Sequence, residues 1–88
     1  MTTGPWSVEF ERRAARDLER LDSQVKQRVL AAIDRLASDP RNAGLRRLSG
    51  RPESRLRVGD WRVIVELETA TRTIVIARIL PRGRAYER

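Results

Sequence analysis

Ser54-Arg55-Leu56-Arg57-Val58-Gly59-Asp60-Trp61-Arg62-Val63-Ile64-Val65-Glu66-Leu67-Glu68 reads as two alternating strands around a two-residue turn. Gly at the first turn position, between alternating segments, signals a β-hairpin of type I′ or II′. Such a turn fixes the register, because a one-residue slip would send every side chain to the other face. Val58 then faces Trp61, Arg57 faces Arg62, Leu56 faces Val63 and Arg55 faces Ile64. Opposed residues share a face. Leu56, Val58, Trp61 and Val63 therefore point toward a core. Arg55, Arg57 and Arg62 point the other way, onto an open face.

Downstream, Thr69 to Arg72 makes a second turn and Thr73 to Leu80 a last strand. That strand is apolar on both faces, so it is expected to be central, and Pro81 is expected to stop it. Upstream, Trp6, Val8 and Phe10 alternate with Ser7 and Glu9 as a short strand. A helix follows from Glu11 to about Leu21, with Ala14, Ala15, Leu18 and Leu21 on one face. Asp22-Ser23 can cap a second helix from about Gln24 to Ala37. Its stripe is Val25, Val29, Ala32, Ile33 and Leu36, and Asp39-Pro40 ends it. The very short turn between the helices makes them an antiparallel hairpin. Residues 40–53 are turn-rich and basic. The fold class is α+β, in the order β-α-α-β-β-β: an N-terminal strand, the helix hairpin, then a three-stranded antiparallel meander. The helices pack on one face of a small antiparallel sheet, and residues 1–88 form a single domain.

The 88 residues contain neither Cys nor His. Thiolate metal sites, Ser-His-Asp triads and Cys-His pairs are thereby excluded. Any chemistry rests on Arg, Tyr, Asp, Glu, Ser, Thr or Lys26, with no metal or cofactor expected. The net charge is +7, from 19 Lys+Arg against 12 Asp+Glu. It is uneven: residues 1–45 hold 8 basic and 7 acidic groups, residues 46–88 hold 11 and 5. Of the 19 basic residues 18 are Arg, whose planar fork suits phosphate. A genome rich in Arg codons accounts for the excess but not for the asymmetry. The balance favours a polyanion or an acidic protein as partner. No apolar run approaches the roughly 20 residues that span a bilayer. The N-terminus lacks a basic segment followed by an apolar core, so a cytoplasmic chain is expected.

Arg57 opposite Arg62 is a poor choice for stability, since like charges across a ladder repel. A broken local rule without visible compensation suggests a site, and three guanidinium groups on one face form a phosphate cradle. The bland alternative is a solvated face neutralised by Glu66, Glu53 or Asp60. Arg12, Arg13, Arg16 and Arg20, beside Glu11, Asp17 and Glu19, read as a solvated, ion-paired helix face. Trp61 reads as packing.

The block from Arg55 to Val65 resembles the signature of the RelE/ParE toxin family of type II toxin–antitoxin systems. Arg16-Asp17-Leu18 with Leu21, Leu48-Ser49-Gly50, and Ile79-Leu80-Pro81-Arg82 followed by Tyr86 resemble the same family. Together these motifs cover nearly the whole chain. The resemblance implies a toxin that inhibits translation by cleaving messenger RNA in the ribosomal A site, a metal-independent endoribonuclease acting by 2′-hydroxyl attack. It implies Arg62 and Arg82 as stabilisers of charge at the scissile phosphate, and Tyr86 as the group that stacks on or orients the substrate. Arg55 and Arg57 stand where some members carry lysines, and Pro81 where many carry His. Arg46, Arg47, Arg51 and Arg84 are expected to add RNA or ribosome contacts. The implied partner is an acidic, RelB-like antitoxin, in a heterodimer or heterotetramer. ParE members share the fold and poison DNA gyrase without nuclease activity, which is the alternative expectation.

Overall fold

The computed structural model describes residues 6–47 and 53–81, apart from the side chains of Asn42 and Arg47. The elements are β1 (Ser7–Phe10), α1 (Arg12–Arg20), α2 (Ser23–Ser38), a 3₁₀ turn (Pro40–Asn42), β2 (Arg46–Arg47), β3 (Ser54–Val58), β4 (Trp61–Glu68) and β5 (Thr73–Pro81). Asp22 caps α2 as its sequence predicts, its carboxylate accepting from the Val25 N–H at 3.0 Å.

The sheet runs β1-β5-β4-β3-β2. β3, β4 and β5 form the expected antiparallel meander, and β5 is central, between β1 and β4. Two features differ from expectation. β1 pairs parallel to β5, Ser7 with Thr73 through Phe10 with Ile76, so the sheet is mixed. A strand that returns to its sheet through helices can lie parallel to its neighbour, and only a tight hairpin forces antiparallel pairing. The turn-rich segment also contains β2, which pairs with β3 through Arg46–Arg55 and Arg47–Ser54. Two residues are too few to leave an alternation in sequence.

Both helices cover one sheet face. Ala14 of α1, Leu21 at its C-cap, and Val29, Ala32, Ile33, Leu36 and Ala37 of α2 bury against Leu56, Val63, Val65, Ile74, Ile76 and Ile79. Val58 and Trp61 pack at the margin of this core, as their strand positions predict. On β5 the core positions run 74, 76, then 79. The skip has a cause: Ile64 pairs with Arg78 and Val65 with Ile76, leaving Ala77 as the extra residue of a β-bulge. A bulge bends the strand and resets which face the following residues take. A smaller cluster of Ile64, Ala77 and Leu80 lies outside the main core.

β1 ends opposite Ile76, and α1 takes over the free edge of β5. The Glu11 N–H bonds the Ile76 carbonyl at 2.9 Å. Beyond it, the Asp17 carboxylate accepts from the Ile79 N–H at 2.9 Å and from Arg78 Nε at 2.8 Å and Nη2 at 3.3 Å. Sequence places Asp17 on a solvated face; it is instead 12 % exposed and ion-paired with Arg78. The next edge amide in phase with Ile79 belongs to Pro81, which has no N–H to leave unpaired. Pro81 is the last residue of the strand.

Burial alone pushes the Asp17 carboxyl up. The Arg78 hydrogen bonds, the Ile79 N–H and the charges of Arg78 and Arg13 outweigh it, holding the group below its ordinary 3.8. A depressed folded value means that the contribution is present above the unfolded pKa and lost as pH falls through the folded one. Asp17→Asn should therefore cost about 1–3 kcal/mol near neutral pH. In urea melts from pH 7 downward, the gap between wild type and variant should close only at acid pH. A gap independent of pH would show that the charge of Asp17 contributes nothing.

Candidate nucleic-acid interface

The site begins with the β3–β4 turn. Gly59 has φ +59, whereas Asp60 keeps the ordinary negative sign. This is the type II′ pattern, with Gly required at the first turn position. The register that follows is the one read from sequence: Val58–Trp61, Arg57–Arg62, Leu56–Val63 and Arg55–Ile64. Leu56 and Val63 enter the core, which turns Arg55, Arg57 and Arg62 to the face away from the helices.

β2 adds a fourth arginine. Arg46 lies opposite Arg55, so it shares that face. Two cross-strand Arg–Arg pairs, Arg46–Arg55 and Arg57–Arg62, thus stand side by side across β2, β3 and β4. Arg46 and Arg57 are exposed and Arg55 is half-buried. Among the described residues the ion pair formed is Asp17–Arg78, so Arg46, Arg57 and Arg62 are not neutralised by a carboxylate there.

Arg62 is the exception to an open array, for it is only 8 % exposed. Its Nη1 donates to the carbonyls of Gly59 at 3.1 Å and Trp61 at 2.9 Å. These bonds draw the guanidinium against the end of the hairpin, and among the described residues Nε and Nη2 donate to no partner. Arg62 also lies opposite Leu80 on β5, so the apolar cluster of Ile64, Ala77 and Leu80 borders the arginines. Glu66, two residues beyond Ile64 on the same face, is half-buried. The arrangement can bind an anion through several guanidinium groups at once, with Arg62 held rigid and Arg57 and Arg46 free to adjust. A shallow depression lined by Gln24, Gln27, Arg28 and Ala31 lies on α2, away from this face. Among the described residues no three acidic groups gather as a metal site.

Of the residues singled out in the sequence, Arg46, Arg55, Arg57 and Arg62 are brought together. Arg47 lies in β2 without a described side chain, and Arg51, Arg82, Arg84 and Tyr86 lie outside the described residues. Sequence reading missed the alignment of Arg46 with Arg55, which needs the strand pairing to be seen. It also missed Asp17 as the partner of Arg78. One signal for that was present: Asp17 stands three residues after Ala14 and four before Leu21, at the margin of the buried stripe.

A family model described as ParE toxin of the type II toxin–antitoxin system, parDE, matches residues 8–86. No curated protein sequence is a significant match. Among solved structures, the archaeal RelE of the RelE–RelB complex from Pyrococcus horikoshii OT3 is 27 % identical with a TM-score of 0.77, covering 90 % of this chain and 97 % of that one. The toxin–antitoxin complex RelBE2 of Mycobacterium tuberculosis gives 25 % identity and a TM-score of 0.77, over 93 % and 97 % of the two chains. The chromosomal ParDE system of P. aeruginosa, at 16 % identity, shares the fold, with a TM-score of 0.71 over 89 % and 97 %. With a family model spanning almost its whole length and this fold, the chain belongs to the ParE-toxin family of type II toxin–antitoxin systems, within the RelE/ParE superfamily.

Proposed function

We propose that this toxin is a ribosome-dependent endoribonuclease that cleaves messenger RNA. The observation that carries the proposal is the arginine face, with its two like-charged cross-strand pairs Arg46–Arg55 and Arg57–Arg62. Such pairs oppose folding. A bound phosphate relieves the repulsion, and a phosphorane, with more negative charge, relieves it further. Stronger binding of the transition state than of the ground state is what accelerates a reaction.

The reaction is attack of the ribose 2′-oxygen on the adjacent phosphorus. The P–O2′ bond forms and the P–O5′ bond breaks. The 2′-proton leaves to a base, and the departing 5′-oxygen takes up a proton. Arg57, Arg46 and Arg55 surround the phosphate, and Arg62 offers it the Nε and Nη2 edge. Arg82 supplies a further cation and Tyr86 orients the substrate. Arginine is a poor base, with a pKa above about 12, and tyrosine near 10 is a weak one at neutral pH. Electrostatics therefore dominate, and alignment of the substrate by the ribosome supplies what the acid–base pair lacks. The neutraliser in this reading is an acidic, RelB-like antitoxin in a heterodimer or heterotetramer. The Pyrococcus horikoshii relative was solved as a RelE–RelB complex and the Mycobacterium tuberculosis relative as a toxin–antitoxin complex. The chain acts in the cytoplasm; among the described residues no helix is long and apolar enough to cross a membrane.

A second reading, a gyrase inhibitor without nuclease activity, is favoured by one observation. The family model that matches is that of ParE toxins.

Induction of the chain in a bacterium without the antitoxin, with mapping of RNA 5′ ends, separates the two. New ends within codons, lost when translation is blocked, are expected. Arrest without new ends but with gyrase-linked DNA breaks would establish the second reading instead. Within the first, Arg57→Ala should lower the cleavage rate by about 10²–10³-fold, the usual cost of one stabilising donor. It should not lower the melting temperature, because it also removes an Arg–Arg repulsion. Equal losses of rate and stability would make Arg57 a structural residue.

A further inference from the structure

α1 breaks two rules of helix electrostatics at once. Arg12, Arg16 and Arg20 are spaced four apart, so like charges stack along one stripe, where they destabilise a helix. Arg12 and Arg13 occupy the first turn, which holds no acidic residue, although the positive end of the helix dipole favours carboxylates there. Arg12, Arg13, Arg16 and Arg20 are all exposed. None of them forms an ion pair among the described residues, contrary to the ion-paired face expected from sequence. At about 100° per residue the four fall within roughly 100° of one another, with Glu19 and Asp17 at the margins. Asp17 is already committed to Arg78 and Ile79.

We infer that the arginine stripe of α1 is a second phosphate-binding surface, which docks on the backbone of a folded RNA. It is separate from the face proposed for cleavage. The buried side of α1, Ala14 and Leu21, enters the core from the helical face of the sheet, and Arg55, Arg57 and Arg62 lie on the other face. A domain with cations on both sides fits between two phosphate-lined walls, whereas one acidic peptide segment neutralises one side. Arginine forks match phosphate oxygens. Steps of about 6 Å along the stripe offer evenly spaced cations to a regularly charged strand. Contacts of this kind position a protein without reading sequence.

The test uses the purified chain and a fluorescent 2′-O-methyl RNA hairpin, which cannot be cut by 2′-hydroxyl attack, so binding is read whether or not the nuclease reading holds. The variant R12Q/R16Q/R20Q should bind more weakly and reduce the slope of log K against log salt by about 2, since each phosphate left without its arginine removes roughly 0.7 to 0.9. R12K/R16K/R20K should keep the wild-type slope. The Gln variant should melt no lower than wild type, because it relieves repulsion; a lower melting temperature would overturn the claim that the stripe is strained. A wild-type slope in the Gln variant sinks the inference. So does unchanged RNA binding with weaker binding of poly-glutamate, which would assign the stripe to an acidic protein.

Discussion

A turn of two residues governs the geometry of the proposed site. Gly59 at φ +59 lets β3 reverse into β4 with no spare residue, and the reversal sets Arg57 against Arg62 and Leu56 against Val63. From that register follow both faces of the sheet. One receives the helices through Leu56, Val63 and Val65, and the other collects the arginines. A hairpin one residue longer would break this match between apolar residues on one face and cations on the other. The fold and the candidate site therefore share one constraint, which no substitution at Gly59 can relax for one of them alone.

A second constraint acts at the far edge of β5. A sheet edge with unpaired amides is an invitation to further pairing. Here β1 covers its first part, Glu11 bonds Ile76, Asp17 caps Ile79, and Pro81 removes the next donor. The bulge at Ala77 twists the strand just where the cover changes from strand to helix. Asp17 thus ties α1 to β5 through its charge, with Arg78 as counter-ion. The cost of burying that carboxylate is offset because three donors converge on it.

Most of the fold was legible because it rests on short-range rules. The alternation around Gly59-Asp60, the stripe of α2 and the cap at Asp22 are each written within a few residues. So is the centrality of β5, since a strand apolar on both faces has neighbours on both sides. What the sequence did not disclose depends on long-range pairing. Parallel pairing of β1 with β5 joins segments more than sixty residues apart. β2 exists only because β3 offers it an edge. Asp17 and Arg78 are 61 residues apart, and each reads as an ordinary surface charge until the fold brings them together. The site was legible in the same measure. Arg55, Arg57 and Arg62 follow from the turn, whereas Arg46 enters only with the strand pairing. The burial of Arg62 against the Gly59 and Trp61 carbonyls follows from side-chain geometry that no spacing encodes.

The distribution of charge in so small a domain is itself an argument about partners. A domain of this length buries only about 60–65 % of its unfolded surface, so its margin is narrow. Its cations lie on both sides of the sheet, in pairs and stripes that repel, and +7 in total makes the compact state work against itself. Among the described residues the Asp17–Arg78 ion pair is committed to the edge of β5 and does not reach these arginines. A polyanion that binds the folded state removes repulsion and adds its own binding free energy to stability. In the proposed function, substrate and neutraliser compete for the same free-energy gain, one with phosphates and the other with carboxylates. For a toxin this coupling has a direct consequence: the arrangement that makes the free chain strained is the one that makes it avid.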